Sequence, residues 1–443
     1  PDLLILYAQN GITSNLYSSI LWGGPGGITS EKTDLYTQGA YDAELLDISG
    51  NGLLDIFIPS AWEDLHNPGE PRDSHVFIQE KPRQFVDKRG EYSIKSNVGL
   101  SVAACDFNKN GHTDLVISNL RLGFDTDTDS YLYMGIEGGF VNPEPIRLPT
   151  HFAHHVEVGD LNGDGYDEIV FSGGGEVRIY WNREGAFSAD DCTTIEAIGD
   201  RTIYGQGNDG IAIADIDLDG KNELLVTSAT GTAIYKQGNW GAPHFSLALP
   251  YAINVEVVDV NNNGRPDIVV IRDEDGEVYQ TESYVYWNTE AGFSTENSTP
   301  FKTVGAVNCA IGDIDGDGKN ELIFSNIVEG YGRHNEKFPC YVYMGDKDCR
   351  YGVDTRIDLP IGNASNGYVI ADTDLDGYPE LVITNSRPGE GIRIFPGGPD
   401  GPDPSKYSVI NGASGAVVET GDFNRDGWLD LLIIGFVYDD TEE

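Results

Sequence analysis

One acidic nine-residue pattern, D-x-[DNS]-x-[DN]-G-x-x-[DE], occurs eight times in this chain of 443 residues and constrains its fold more than any other feature. The copies begin at Asp47, Asp106, Asp160, Asp215, Asp259, Asp313, Asp372 and Asp422. Successive copies start 44 to 59 residues apart. Repeats of this period are typical of propellers and solenoids, in which each repeat is one supersecondary unit.

The segments around each copy have the pattern of β-strands. The segment before a copy alternates apolar and polar residues, as in HHVEVG (154–159), and the segment after it is mostly apolar, as in EIVFSG (168–173). A third segment carries aromatic residues at alternate positions, as in SYVYWN (283–288), and a short fourth one lies near GGF or AGF. Alternation with β-branched and aromatic residues predicts strands. Four antiparallel strands per repeat form the blade of a propeller.

We therefore predict an all-β propeller of four-stranded antiparallel blades that forms a single domain over 1–443. Eight copies favour eight blades, with seven blades as the alternative. The first segments of the chain, PDLLILY and SSILWGG, have the pattern of a second and a third strand, and 415–436 supplies a first and a second strand. We expect the two ends of the chain to close one blade together, with one spare strand.

The repeated loops have the composition of calcium sites. Oxygen-bearing side chains occupy loop positions 1, 3, 5 and 9, and a glycine at position 6 allows a sharp turn. Hard oxygen ligands on a tight loop suit Ca²⁺ better than zinc or copper. The predicted ligands are Asp47, Ser49, Asn51, Asp55; Asp106, Asn108, Asn110, Asp114; Asp160, Asn162, Asp164, Glu168; Asp215, Asp217, Asp219, Glu223; Asp259, Asn261, Asn263, Asp267; Asp313, Asp315, Asp317, Glu321; Asp372, Asp374, Asp376, Glu380; and Asp422, Asn424, Asp426, Asp430.

The loops differ in the number of carboxylates. Those at Asp215, Asp313 and Asp372 carry four each, whereas Asn or Ser replaces two of them at Asp47, Asp106 and Asp259. For these three poorer loops calcium remains the favoured interpretation, but a turn that binds no metal is a stronger alternative than in the carboxylate-rich loops. We expect calcium to act as a structural staple between two strands, and we expect no organic cofactor.

Net charge excludes several classes of partner. The chain has 28 basic and 72 acidic residues, for a net charge of −44. Such a charge opposes binding to nucleic acid or to an anionic membrane through a general field. No run of about 18 apolar residues occurs, so the sequence predicts no membrane span. We expect a monomer.

The eight loops and the strands around them resemble FG-GAP/VCBS repeats, which also form the heads of integrin α-chains. The resemblance covers nearly the whole chain and implies a calcium-binding β-propeller that is secreted or on the cell surface, or periplasmic. Propellers of this kind include adhesins, lectins and polysaccharide lyases, so the resemblance alone does not define the function.

Function is expected at the end of the blades opposite to the acidic loops. The connections from second to third strand are long at 59–74, 119–130, 272–283 and 326–339, and long loops on a rigid scaffold are often functional. Five arginines lie in the connections of this kind, although basic residues are scarce overall, which suits a carboxylate or sulfate ligand. We therefore expect an anionic polysaccharide or oligosaccharide as partner.

A polysaccharide lyase acting on a uronic-acid glycan by β-elimination is the favoured function. This reaction needs a group that neutralises the uronate carboxylate, a base for the C5 proton and an acid for the leaving oxygen. We expect Arg121 with His75 or His154 to neutralise charge, and Tyr131 or His155 to act as base or acid. The expected substrate-binding residues are Tyr41, Trp62, Tyr251, Asn254, Arg272, Asn308, Arg333 and His334.

The alternative is a non-catalytic lectin or adhesion propeller that binds carbohydrate or protein. The residues at the first-strand entries differ from blade to blade, which disfavours a lectin with one pocket per blade. One asymmetric site fits better and mildly favours an enzyme.

Overall fold

The structure is a computed structural model that describes residues 3–7, 15–24, 27–61, 71–140, 144–196, 210–276, 278–326, 338–345, 351–361, 364–385, 391–410 and 417–435. Regular structure in these residues is strand, apart from the one-turn helix α1 (Arg89–Tyr92) and a 3-10 turn at Val353–Thr355. None of the described helices has the length and hydrophobicity that crossing a bilayer requires.

The chain packs as two compact units. Unit A comprises Thr37–Leu247 with Phe423–Arg425, and unit B comprises Pro1–Tyr36, Ala248–Asp422 and Asp426–Glu443. The chain begins with three strands of one sheet, which are β1 (Leu3–Tyr7), β2 (Asn15–Gly24) and β3 (Gly27–Gln38).

Unit A contains four four-stranded sheets, each with its strands in chain order. They are β4 (Glu44–Leu46), β5 (Asp55–Ile58), β7 (His75–Lys81) and β8 (Gln84–Asp87); β10 (Gly99–Cys105), β11 (Asp114–Asn119), β12 (Asp127–Tyr133) and β13 (Ile146–His151); β14 (Ala153–Gly159), β15 (Glu168–Gly173), β16 (Glu176–Tyr180) and β17 (Cys192–Glu196); and β18 (Ile211–Ala214), β19 (Glu223–Ser228), β20 (Gly231–Tyr235) and β21 (Phe245–Leu247). The short strands β6 (Arg72–Asp73) and β9 (Lys95–Ser96) pair with each other.

Unit B contains three four-stranded sheets and one with five strands. The first three are β22 (Ala252–Val258), β23 (Asp267–Arg272), β24 (Gln280–Tyr286) and β25 (Ser298–Val304); β26 (Ala306–Gly312), β27 (Glu321–Asn326), β28 (Cys340–Tyr343) and β29 (Arg356–Leu359); and β30 (Ala364–Ala371), β31 (Glu380–Asn385), β32 (Ile392–Phe395) and β33 (Ser408–Ile410). The five-stranded sheet has the order β3-β2-β1-β35-β34, with β34 (Val417–Gly421) and β35 (Asp430–Gly435).

Each unit thus contributes four blades, and the chain is an all-β propeller with eight blades of antiparallel strands, as predicted. In the five-stranded sheet, strands from both ends of the chain meet, and β1 pairs with β35 in parallel. That the two ends close the propeller stays a prediction, as does the single domain over 1–443.

Second strands form the centre of each blade. The side chains of β11, β15, β23 and β27 are buried along their whole length. Their apolar residues pack against the neighbouring sheet, so that Phe57 and Val76 share one core cluster with Leu115 and Ile117. Full burial of such a side chain stabilises the fold by about 1.5–3 kcal/mol. The first strands of successive blades lie side by side in each unit, and both of their ends carry the candidate sites.

Candidate calcium centres and the opposite strand ends

All eight acidic loops join the first strand of a blade to its second strand, and the ninth loop residue begins that second strand. In the loop of Asp313, one carboxylate oxygen accepts a hydrogen bond from the Gly318 N–H (2.9 Å) and the other from the Asp317 N–H (3.1 Å). The Asp317 carboxylate in turn accepts the Lys319 N–H (2.8 Å). The same three contacts recur in six of the other loops. In the loop of Asp160, the N–H of Gly163 replaces that of the position-5 residue on the first aspartate (2.6 Å).

The glycine at position 6 has a positive φ in every loop, for example 83° at Gly318 and 90° at Gly427. A side chain is strained in that conformation, which explains why glycine occupies this position in all copies. Each loop is thus a tight turn that is closed by its first aspartate.

In the seven loops whose ninth side chain the structure describes, that residue places a buried carboxyl group beneath the loop. Glu321 is fully buried and accepts the Ile314 N–H (3.0 Å). Burial, together with the charges of Asp315 and Asp313, raises the pKa of Glu321 to about 8. The same causes raise the pKa of Glu168 to about 7, with Asp164 and Asp160 as the neighbouring charges. A cation between these carboxylates would relieve both the burial of charge and the repulsion.

Three loops bring their carboxylates close enough to share one ion. In each of them, oxygens from three acidic residues lie within 4.8 Å of one another. The three sets are Asp215, Asp217 and Glu223; Asp313, Asp315 and Glu321; and Asp372, Asp374 and Glu380. Calcium takes six to eight oxygens at about 2.3–2.6 Å from the ion, so two oxygens bound to the same ion are at most about 5 Å apart, as the carboxylate oxygens are here. The residues therefore fit calcium, with Asp219, Asp317 and Asp376 as the fifth-position ligands.

The three loops poor in carboxylates contain a direct hydrogen bond to the third strand or to the residues just after it. The position-5 amides of Asn51, Asn110 and Asn263 donate to the carbonyls of Gln79 (2.9 Å), Gly135 (3.3 Å) and Asn288 (3.2 Å). A neutral hydrogen bond thus ties the loop to its blade without an ion. In the loop of Asp160, the Asn162 amide donates to Glu168 (2.6 Å). The side chain of Asp430 lies outside the described residues.

The other end of the first strand has its own repeated geometry. In five blades a residue with positive φ precedes the first strand. In four of these blades the first strand also has a register shift, and the shift comes just before the residue that stands five positions before the loop aspartate. The positive-φ residues are Gly39, Val98, Phe152, Tyr251 and Gly305. Bulges commonly re-aim a side chain beside a functional site. The residues that follow these bends are Asp42, Ser101, His155, Asn254 and Asn308.

In unit A, these residues form a row of polar contacts. The Ser101 hydroxyl lies 3.3 Å from His155 Nδ1, and His155 Nε2 lies 3.1 Å from the Glu157 carboxylate. Asp42 accepts the N–H groups of Val102 and Ala43 (both 2.9 Å). Burial raises the pKa of Asp42, while its hydrogen bonds and the neighbouring His155 act in the opposite direction. We call Asp42, Ser101, His155 and Glu157 the unit A row.

In unit B, the equivalent residues are amides. The Asn254 side-chain amide donates to the side-chain oxygen Oδ1 of Asn308 (3.3 Å). The Oδ1 atoms of Asn254 and Asn308 each accept the backbone N–H of the next residue (2.8 Å). The structure thus brings together two residues that were expected to bind substrate. Tyr251 is half-buried with φ of 65°. Arg272 is 8% exposed, donates to the Glu282 carbonyl (3.1 Å) and lies 3.8 Å from Asp275.

The other expected site residues of unit A are dispersed. His75 is fully buried and stacks on Phe77, and Tyr131 is 2% exposed and accepts the Asn97 amide (2.7 Å). His154 is 7% exposed and contacts Phe152, so of the adjacent histidines only His155 belongs to the row. Arg121 and Tyr41 are half-buried. Trp62, Arg333 and His334 lie outside the described residues.

Sequence reasoning did not select Ser101 or Glu157 as site residues. The signal was nevertheless present, because Asp42, Ser101 and His155 each stand five residues before the first aspartate of a loop. Aligning the copies on that aspartate would have placed the three side chains at one level of neighbouring first strands.

Comparison with known proteins agrees with the repeat structure. The model of the FG-GAP-like repeat matches residues 106–171, 160–226, 215–270, 259–324 and 372–433, which together make up well over half of the chain. Integrin alpha-PS5 of Drosophila melanogaster is 27% identical over 46% of this chain, and human integrin alpha-6 is 35% identical over 22% of it. The matched parts span only 24% and 10% of those integrins.

Two solved structures were compared with this chain, both at low sequence identity. The exotype rhamnogalacturonan lyase YesX has a TM-score of 0.54 at 13% identity, with 96% of this chain and 77% of the lyase aligned. A lectin of Agrocybe aegerita that recognises terminal N-acetylglucosamine has a TM-score of 0.39 at 15% identity, over 77% of this chain and 90% of the lectin. The repeat matches, the eight loops and the blades show that this chain belongs to the FG-GAP-like repeat family.

Proposed function

We propose that this chain is an extracellular, calcium-stabilised propeller that binds a carbohydrate at the unit A row. The observation that carries the proposal is the continuous set of contacts from Ser101 through His155 to Glu157, beside Asp42. The acidic loops at the other end of the same first strands support the calcium part of the proposal.

Calcium would supply the positive charge that the clustered carboxylates lack. In the loop of Asp313, for example, the first aspartate closes the turn by accepting the N–H groups of Asp317 and Gly318, and the buried Glu321 at the start of the second strand accepts the Ile314 N–H. The integrin relatives support an extracellular location.

The unit A row has the chemistry of a sugar-binding surface. Carboxylates accept hydrogen bonds from sugar hydroxyls, while serine and histidine can donate or accept. His155 and Glu157 keep 29% and 40% of their side chains exposed, so both remain accessible. The adjacent connection from β11 to β12 carries Phe124, whose ring is 92% exposed, and the Phe152 N–H donates to Thr126 of that connection (2.8 Å). An exposed aromatic ring suits the apolar face of a sugar.

A lyase acting on a uronic-acid glycan is the second candidate, and His155 is the residue that favours it. An imidazole held by a hydroxyl on one nitrogen and a carboxylate on the other is oriented to take a proton. The fold shared with YesX is compatible with this activity. The acidic neighbours Asp42 and Glu157, however, oppose a uronate carboxylate at this position, so we place binding first and expect a neutral sugar to bind better than an anionic one.

A glycan panel tests both candidates. Binding to neutral and uronic-acid polysaccharides is measured with calcium present, and absorbance of the unsaturated uronate product is followed in the same samples. We expect His155→Gln and Ser101→Ala to weaken binding at least about tenfold, the value of one or two hydrogen bonds. His244→Gln, a change at an exposed histidine outside the row, is the matched control.

The outcomes separate the candidates. Binding without product, lost in the His155 and Ser101 variants, supports the carbohydrate-binding propeller. Product formation that His155→Gln abolishes establishes the lyase instead. If wild type, His155→Gln and Ser101→Ala bind equally well and have the same melting temperature, the unit A row takes part in neither carbohydrate binding nor catalysis.

A further inference from the structure

One lysine reaches into an acidic loop where other blades have an apolar residue. Tyr235 at the end of β20 lies opposite Leu224, and Lys236 follows it. In six other sheets, the third-strand residue that pairs with the corresponding second-strand residue is followed by an apolar residue. These residues are Ile78, Met134, Trp181, Trp287, Met344 and Pro396.

The Lys236 ammonium contacts two of the three clustered carboxylates of its loop. It pairs closely with Asp217 and lies 3.5 Å from Glu223. Glu223 is 2% exposed, and 26% of the lysine side chain is exposed, so the charge is carried into a largely desolvated position. Asp217 and Glu223 are also two of the residues that fit a calcium ion with Asp215.

We infer that Lys236 is a built-in counter-cation of the loop 215–223 and lowers the calcium affinity of this loop. The inference rests on the proposed calcium binding. A divalent ion and the ammonium require the same carboxylate oxygens, and two cations in one loop repel each other. The lysine must therefore leave Asp217 and Glu223 before calcium takes its full set of ligands, so this loop fills at higher free calcium than its counterparts.

The chain contains a matched loop without such a lysine. DIDLDGKNE (215–223) and DIDGDGKNE (313–321) differ only at position 4, where Leu218 and Gly316 both have positive φ, 62° and 74°. The lysine at position 7 is common to both loops. The residue that follows the third strand is Lys236 in one blade and Met344 in the other. This difference accounts for the expected difference in affinity.

The test counts bound ions per chain by native mass spectrometry over a range of free calcium, together with thermal unfolding. Relative to wild type, Lys236→Met should acquire one ion at roughly tenfold lower calcium, as expected for loss of a partly buried competing ion pair. Lys221→Met removes a charge from the same loop without removing that pair, and its titration should stay close to wild type. Met344→Lys should shift the binding of one ion to higher free calcium.

A second substitution assigns the effect to the loop. In the Asp215→Asn background, Lys236→Met should no longer shift the binding of any ion to lower free calcium, because the loop has lost its first ligand. Wild type that binds ions with a titration identical to that of Lys236→Met would overturn the inference and leave the proposed calcium binding intact. Absence of bound ions from both proteins at millimolar calcium would instead overturn the calcium proposal itself.

Discussion

His75 shows how a residue with catalytic chemistry can be part of the core. His75 stands at the start of the third strand β7, where the sequence analysis expected a residue that contacts substrate. Its ring, however, is fully buried and stacked on Phe77, with ring centroids 5.8 Å apart. Burial, with the nearby Arg89, lowers the pKa of His75 to about 4. The neutral imidazole is therefore the form that the folded protein accepts.

This burial predicts a loss of stability in acid. The unfolded chain protonates His75 near pH 6.5, whereas the folded chain does so only near pH 4. The unfolded state thus binds more protons in this window, so the free energy of unfolding falls as pH falls, by about 3 kcal/mol in total. Urea unfolding at pH 7, 5.5 and 4.5, in excess calcium, should show a weaker pH dependence for His75→Gln than for wild type.

The control for that experiment is His244→Gln, because His244 is exposed. It should keep the wild-type dependence on pH. Parallel curves for wild type and His75→Gln would show that His75 does not carry the acid sensitivity.

At the scale of the element, the acidic hairpin is the recurring unit, and its ninth residue is predicted to have opposite effects with and without calcium. Glu321 is fully buried and crowded by Asp313 and Asp315. Glu321→Gln removes buried charge, so it should raise the melting temperature in chelator, but it also removes a ligand and should lower the melting temperature in calcium. The exposed Glu137→Gln should have little effect in either buffer, and a shift of the same sign in both buffers would contradict calcium binding at this loop.

The asparagine loops allow the converse change. The Asn263 amide donates to the Asn288 carbonyl at 3.2 Å, and Asn263→Asp replaces this donor with a carboxylate. Without calcium the variant should lose about 1 kcal/mol or more of stability, and with calcium it should recover part of it. Calorimetry in both buffers measures the difference. A calcium-induced rise no greater than that of wild type would show that position 5 does not set the calcium dependence.

These elements explain how far the sequence predicts the structure. The period of the loops and the alternation beside them suffice for eight blades and for the place of each loop, because both are local properties of the chain. Burial of His75 and Tyr131 depends on packing between sheets, as does the separation of His154 from His155 by a bulge. The contact of Lys236 with Asp217 joins residues on different strands and cannot be inferred from spacing within the loop.

At the scale of the whole molecule, charge and calcium are coupled. The chain carries a net charge of −44, and one calcium ion in each of eight loops would reduce it to −28. If only the five loops with three or four carboxylates are filled, the charge is −34. Much of the self-repulsion therefore arises in the loops, where the carboxylates lie within a few ångströms of one another.

This coupling predicts that chelation lowers stability and that salt partly restores it. Excess EDTA should lower the melting temperature sharply, because the twelve carboxylates at the ligand positions of the three richest loops alone would lose their counter-ions. Sodium chloride at about 0.5 M, where the Debye length is about 4 Å, should then raise the melting temperature of the chelated protein more than that of the calcium-loaded protein, since the salt screens repulsion that calcium otherwise cancels. Sucrose at matched osmolality should not discriminate between the two states. A melting temperature unchanged by EDTA would mean that the hairpins hold the blades without ions.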